Sequence, residues 1–579
     1  MKKSFICVAL LFALLLFSVP SFAETVSVPE AVPAPAFAEV VAQVASPVPA
    51  SAALPPVEAV PFKPDMTYLK DRELLDKLQR DTFRYFWEHT YPESGLAYEA
   101  IRHTDAHAAI GGTGFGVAAT VAAVERGWVS RADAVERITK IVYFLRDKTD
   151  RKALHGAFPH WVDGHTGQTV KFSDKDDGAD LVETAFLMQG LLIAQAYFCE
   201  ESDRERELRA CIDELWRDVD WHWFTNGENN GLYWHWSPTH GFDMGMKITG
   251  FNEAMITYVL ALASPTHPIS RETARHWYST HEYEPKSADG YTIEAANAHA
   301  GCMFLSHYSF IGLDPRRMAD SRVTKGYMVR NITHALMNRA YCLDSAPEAH
   351  RFHEGFWGLT ACNTKKGYTY QSAYAELGTV APTAALASIP YVPEYSMRVL
   401  ESIDREHREK LWGPYGPYDA FSLCEDWYDD TYIGIDQLII PCMVENYRSG
   451  LLWSLFMNVP GIEEGLARMG IEALPASDGF PHVVVPMRKT AEGHVPDALD
   501  LRRHPDSGEY RIPFSSSRSG IAFFRLTDAS GKVVQRFLRE VAQGDHVLAF
   551  EQFMPASDEV FTLSMRIGDA STRLPVRFH

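Results

Sequence analysis

Residues 181–198 read "LVETAFLMQGLLIAQAYF", a helix-length stretch with no polar face. A helix that is apolar all round has to be covered on every side, so it cannot lie on a surface. The same character returns in "EAMITYVLALA" (253–263), "TVAPTAALASI" (379–389) and "LIIPCMVENYRSGLLWSLF" (438–456). Between these runs lie amphipathic segments. In "SRADAVERITKIVYFLRDK" (130–148), Val135, Ile138, Val142 and Leu145 form one stripe behind the N-cap residue Ser130. "ESDRERELRACIDELWRDVD" and "VPEYSMRVLESIDREHRE" have the same pattern. Pairing the two kinds in order gives about six couples, whose apolar members begin near 106, 178, 251, 296, 380 and 435. That alternation suggests a mainly α fold of concentric helices, an (α/α)6 toroid or barrel over residues 66–476. The count of six is compatible with the pattern rather than forced by it.

Both flanks differ. Residues 1–23 place Lys2 and Lys3 before an apolar run that ends in Ser21-Phe22-Ala23, the layout of a secretory signal peptide cleaved after Ala23. Export to a bacterial periplasm or the exterior is the expectation. No later run reaches the roughly 18 apolar residues of a membrane span. Residues 24–65 are rich in Ala, Pro and Val and read as a disordered tether. Residues 480–579 alternate with a two-residue period, as in "GIAFFRLTDASGKVVQRFLREV", with a turn signal at Asp528-Ala529-Ser530-Gly531. A small C-terminal antiparallel β-sandwich is expected there.

Charge narrows the substrate. The chain carries 55 basic and 75 acidic residues, and loss of Lys2 and Lys3 leaves a formal charge of −22. Such a surface repels nucleic acid and anionic polysaccharides and suits a neutral ligand. Seven cysteines follow the cleavage site, without CxxC or zinc spacing. They read as small buried residues, with a Cys342–Cys362 bridge as the one pairing that spacing raises.

Three places put carboxylates where helices begin. In "KFSDKDDGADLVETAF", Asp176, Asp180 and Glu183 are spaced i, i+4, i+7, on one face of a helical start. In "GFNEAMITYVLALASPTHP", Glu253 opens an apolar helix behind Asn252 as N-cap. In "CEDWYDDTYIGIDQLIIP", Asp436 precedes an apolar run, after four acids (Glu425, Asp426, Asp429, Asp430) that read as solvated loop charges. Each could simply complement a helix dipole. A general acid at Glu253 needs a raised pKa, whereas a helix N-terminus lowers it, so desolvation or a neighbouring carboxylate would have to win. Glu445 and Arg448, i and i+3, are expected to neutralise each other.

Two carboxylates across an aromatic-lined cavity are what glycoside hydrolysis needs: one protonates the leaving oxygen, the other activates water or attacks C1. Trp234, Trp236, Trp357, Trp412 and Trp427 sit in predicted loops where rings can stack on sugars. "GGTGFG" (111–116) has no strand before it, so its glycines read as a close helix contact rather than a phosphate loop. A lone His307 reads first as a hydrogen-bonded core or cavity residue.

Six stretches together resemble one family: "LQRDTFRYFWEHTYPESGLAYE", "GTGFGVAATVAAVERGWVSR", "GFNEAMITYVLALASPTHP", "GTVAPTAALASIP", "GPYDAF" and "IDQLIIPCMVENYRSGLLW". In this order, over about 70–475, they look like the bacterial glucoamylase-like domain, whose members include endo-β-1,2-glucanases of glycoside hydrolase family 144. The resemblance implies an (α/α)6 toroid acting on β-1,2-glucan or sophoro-oligosaccharides with inversion. It makes Glu253 the general acid and Asp436 the candidate base. Asp176, Asp180 and Glu183 match the family's trio of cavity carboxylates; with His307, kept from a family motif, and the loop residue Trp357 they are the candidate substrate-binding residues. No metal or organic cofactor is implied, and the expected partner is a neutral oligo- or polysaccharide; the sequence leaves the oligomeric state open, with a monomer as the default. Family members usually carry an Asp where this chain has Leu377, and the usual "HQYSH" reads "SHYSF" at 306–310. Two rivals stand beside this reading: a transglycosylase or phosphorylase on the same fold, and a non-catalytic glucan-binding protein.

Overall fold

The computed structural model describes residues 67–473 apart from 102–106, 280–282, 290 and 297, together with the strands between 483 and 578 and a few residues beside them. The proposed signal peptide and tether lie outside the described residues. One compact unit spans Pro64–Ala476 and a second includes Ser477–His579.

The first unit is mainly helical. Its principal helices are α1 (Thr67–Glu88), α2 (Ile110–Glu125), α3 (Arg131–Asp147), α4 (Leu181–Tyr197), α5 (Asp203–Asp218) and α6 (Met255–Ala263). They continue with α7 (Tyr327–Ala340), α8 (Pro382–Leu386), α9 (Pro393–Glu406), α10 (Gly434–Arg448), α11 (Leu451–Met457) and α12 (Ile462–Met469). The two kinds of helix separate as the sequence demands. α4 is buried without a break from Leu181 to Ala194, and α2 from Ile110 to Ala123. α3 buries only its apolar stripe, and Ser130 caps it by accepting from the Asp133 N–H at 3.1 Å. Fully buried helices touch one another, α10 on α2, α2 on α4 and α4 on α6, while α3 packs on α5.

Glycine makes the α2–α4 contact. A Cβ on Gly190 would stand 1.9 Å from the Gly114 carbonyl oxygen, and one on Gly114 would stand 2.3 Å from that of Phe186. No side chain fits between these backbones, so the glycines of 111–116 serve helix packing.

Two of the expected apolar helices are not continuous. The segment predicted from 296 forms only short 3₁₀ turns, Ala298–Ala300, Met303–Ser306 and Ser309–Ile311. His299, Ala300 and Gly301 all have positive φ, 54°, 66° and 79°, and such a run cannot propagate a right-handed helix. The segment predicted from 380 yields only the five-residue α8. Pro390 and Pro393 follow it, and the residue before a proline is pushed out of the helical region.

In the second unit the described strands form two sheets. One runs in the order Leu499–Leu501, Ala570–Phe578, Phe561–Ile567, Gly520–Thr527, Val533–Val541. The other runs Val483–Val484, Tyr510–Ser516, Gly544–Phe550. Alternate residues of both, among them Phe514, Leu548, Phe524 and Leu563, share one apolar core. The expectation of purely antiparallel pairing is corrected at one edge, where Leu499–Leu501 runs parallel to Val576–Phe578.

All seven cysteines after residue 23 are free. The Cys342–Cys362 bridge is therefore absent: the Cys362 sulfur instead accepts from Gln371 Nε2 at 2.9 Å.

Candidate active site

Glu253 does not open a helix. α6 begins at Met255, and Glu253 sits in the turn before it, where Asn252 Oδ1 accepts from the Ala254 N–H at 2.9 Å. The hydroxyl of Ser309 donates to the Glu253 carbonyl and accepts from the Ile256 N–H at 3.0 Å, pinning turn to helix. The half-buried side chain thus escapes the first helical turn, where the dipole acts most strongly. Burial pushes its carboxyl up to about 7, a backbone hydrogen bond opposes this, and the charge on Asp180 adds to the rise. Desolvation wins, as a general acid requires.

Asp436 lies in the first turn of α10 and is buried. Its Oδ1 accepts from the Tyr308 hydroxyl at 3.0 Å, and its carbonyl accepts from Thr383 Oγ1 at 2.7 Å. Among the described residues no hydrogen-bond partner reaches Oδ2. Burial, then the neighbouring Asp419 carboxyl, raises Asp436 well above the ordinary carboxylate range. Tyr308 and Ser309 are adjacent, so one short turn holds the side chain of Asp436 and the backbone of Glu253. The Tyr308 phenol feels both carboxyls.

Asp176, Asp180 and Glu183 do converge, but not by helical phase. Only Glu183 is on α4; Asp180 is its N-cap and Asp176 lies in the preceding turn. Asp180 Oδ1 accepts from the Val182 and Glu183 N–H groups at 2.9 and 3.0 Å. Its Oδ2 meets His160 Nδ1 at 3.2 Å and His235 Nε2 at 3.5 Å, and the same His235 nitrogen is 3.3 Å from Asp176 Oδ2. A two-residue strand pair, Ala179–Asp180 against His235–Trp236, sets this register. Glu183 Oε2 accepts from the Gly111 N–H at 2.7 Å, and a Cβ at 111 would stand 2.4 Å from that oxygen. Glycine there is what lets the carboxylate in.

Charges in this cluster set one another. Burial works against protonation of His160, but Glu183, Asp180 and Asp176 outweigh it and push the imidazole up to about 10. Despite burial, His160 and His235 hold Asp180 well below the usual range. Burial raises Glu183 to about 7. Ligand atoms of His160, Asp176 and Asp180 all lie within 4.8 Å of one another, close enough to share a cation. The protonated His160 already supplies that positive charge.

Other expected residues fall elsewhere. Trp357 is fully buried, so it offers no face to a sugar, and the stacking role is corrected to packing. His307 is buried with Nε2 3.0 Å from Ser388 Oγ, and burial lowers it to about 3, leaving a neutral core imidazole. Trp234, Trp236, Trp412 and Trp427 keep partial exposure. Phe172, not singled out from sequence, is 38% exposed and covers His160 with 4.3 Å between ring centres. Of the four acids at 425–430, Asp429 is not a solvated charge. It is buried and accepts from Asn363 Nδ2 at 2.7 Å. Leu377 is exposed and lines a surface pocket with His350, Lys365, Lys366 and Glu376.

Residues 245–460 match the family described as Glycoamylase, "Putative glucoamylase". An endo-β-1,2-glucanase from Chitinophaga pinensis, solved with sophorotriose and glucose, is 41% identical. The match covers 70% of this chain and 99% of that one, with a TM-score of 0.67. The chain belongs to the glucoamylase-like family. An exo-β-1,2-glucooligosaccharide sophorohydrolase of Parabacteroides distasonis is 40% identical over 424 residues, 69% of this chain. This chain spans 58% of the length of that curated relative. A β-1,2-glucanase structure from the same organism is 39% identical, covering 69% of this chain and 60% of that one, with a TM-score of 0.66. Within this glucoamylase-like protein, sequence reasoning missed His160, His235, Tyr308 and Asp419. Only Asp419, inside "GPYDAF", lay in a stretch that carried the family resemblance.

Proposed function

We propose that this protein hydrolyses β-1,2-glucan or sophoro-oligosaccharides with inversion, using Glu253 as general acid and Asp436 as base. One observation carries the reading: the Tyr308–Ser309 turn holds the side chain of Asp436 and the backbone of Glu253, whose carboxyl is pushed up to about 7 by burial. Glu253 gives its proton to the glycosidic oxygen as the C1–O bond breaks. Water forms the new bond to C1 and passes its proton to Asp436. Asp180 is the firmly ionised carboxylate, but its oxygens already accept from two backbone N–H groups and face two imidazoles. It has little capacity left for a water, so its part is electrostatic. With His160 and Asp176 it forms a polar wall under the exposed ring of Phe172.

In this reading the helical unit is an (α/α)6 toroid, residues 1–23 export the chain to the periplasm or exterior, residues 24–65 tether it, and residues 480–579 form an accessory β-sandwich. The buried helices, touching in the order α10, α2, α4, α6, support the toroid. The matched similarity to two β-1,2-glucanases supports the linkage.

Incubation with a panel of neutral β-glucans, followed by sizing of the products, tests the function. Short products from β-1,2-glucan alone are expected. Products longer than the substrate indicate a transglycosylase, and dependence on phosphate a phosphorylase. Binding without turnover indicates a glucan-binding protein.

A further inference from the structure

Arg330, near the start of α7, is buried at 2% exposure, and its described hydrogen bonds end on neutral groups. Taking a charge out of water for neutral partners is costly. What these partners share is their place behind the candidate site. Arg330 Nε donates to the Ala295 carbonyl at 2.9 Å, and Nη1 donates to Ser306 Oγ and, at 3.2 Å, to Asn331 Oδ1. The guanidinium carbon lies 3.8 Å from the centre of the Phe251 ring, so the charge rests on an aromatic face. Ser306 Oγ accepts from the arginine and gives its own proton to His334 Nδ1 at 2.7 Å. Burial and the Arg330 charge keep that imidazole neutral, and its Nε2 donates to the Gly301 carbonyl at 3.3 Å. Phe251 stands two residues before Glu253, and Ser306 stands two before Tyr308, whose hydroxyl holds Asp436. The two turns already meet where Ser309 Oγ donates to the Glu253 carbonyl and accepts from the Ile256 N–H. Turns joined at one point can pivot about it. Arg330 joins them at a second point and closes the frame.

We propose that Arg330 is a positioning residue for hydrolysis, a brace that fixes the turn carrying Glu253 against the turn carrying Tyr308. This rests on the hydrolytic reading above. Arg330 acts through Phe251 and Ser306 rather than on the reacting atoms. The role needs an arginine. A planar guanidinium lays its face on the ring while N–H groups along its edge reach Ser306 and Ala295, and a lysine ammonium cannot do both at once.

Arg330→Lys, which keeps the charge and loses the fork, tests this on β-1,2-glucan. Its kcat should fall about 10²-fold, the cost of misplacing a catalytic group by about 1 Å, with KM little changed. Arg126→Ala is the comparison, because that guanidinium bonds to Glu445 rather than to either turn. It should lower the melting temperature and leave kcat of the folded protein in place. Arg330→Lys behaving in the same way, with stability lost and kcat kept, overturns the proposal. Amide hydrogen exchange of the full chain, read by mass spectrometry, gives a readout independent of glucan cleavage. Peptides over 251–256 and 306–311 should exchange faster together in Arg330→Lys, while those over α3 keep the wild-type rate. Unchanged exchange in either segment overturns the brace. If both segments loosen and the wild type cleaves no glucan, the hydrolytic reading fails and the brace stands. Should Arg330→Lys not fold, Ser306→Ala cuts one arm of the same brace and is held to the same outcomes.

Discussion

Glu253→Gln should lower kcat on β-1,2-glucan by about 10³-fold, within the 10²–10⁴ that a positioned general acid supplies. KM should change little, because the amide keeps the shape and the side chain is not what holds the turn. That work falls to the backbone, through Ser309 and through the Ala254 N–H on Asn252. The melting temperature should stay within a degree or two of the wild type. Glu253 also sets the alkaline limb. Its folded value of about 7 lies above that of a free glutamate, so the proton-bearing form persists to neutrality and is lost above it. kcat/KM should fall tenfold per pH unit beyond that point. A Gln variant with wild-type turnover would remove Glu253 from the chemistry.

The largest stability effect is expected from Arg126→Ala. Glu445 is fully buried in α10, and Arg126 at the C-terminus of α2 reaches it with Nε at 2.8 Å and Nη2 at 2.6 Å. Gln79 Nε2 at 2.9 Å and Ser449 Oγ at 2.6 Å complete the shell. Burial alone would raise the carboxyl; Arg126, then Ser449 and Gln79, hold it below the usual range. Removing the guanidinium leaves a buried charge with two neutral donors. The cost should be about 3 kcal/mol, the low end for breaking a buried pair, or about 3–4 °C in the melting temperature of a unit this size. Because the folded value is lowered, this contribution is fully present above the free-glutamate range and is lost as pH falls through the folded value. Wild type and variant should therefore converge in acid. Arg448→Ala is the comparison: its carboxylate partner, Asp76, is exposed, and the loss should stay below about 1 kcal/mol.

That contrast marks where sequence reading succeeds and fails. Apolar periodicity found α2, α4, α6 and α10 because burial on every side leaves a composition that nothing else explains. It could not see that positive φ at 299–301 and two prolines after α8 break the remaining two. The i, i+3 rule paired Glu445 with Arg448, yet Glu445 turns toward Arg126, 319 residues away, and Arg448 toward Asp76 and Gln79. The acids at 176, 180 and 183 share no helical face: His160, in the bend before a strand, and His235, on another strand, gather Asp176 and Asp180, while the Gly111 N–H holds Glu183. Asp419 carried no helix-mouth signal, since its anchor is a backbone N–H at 363, 56 positions away.

The anomeric form released first from β-1,2-glucan, followed by proton NMR within the first turnovers, tests the acid and base assignment most directly. If water is delivered by the Asp436 side while Glu253 protonates the opposite face, the newborn reducing end is α. A β product would mean that a carboxylate attacks C1 itself, and the pairing of Glu253 with a water-activating Asp436 would be wrong.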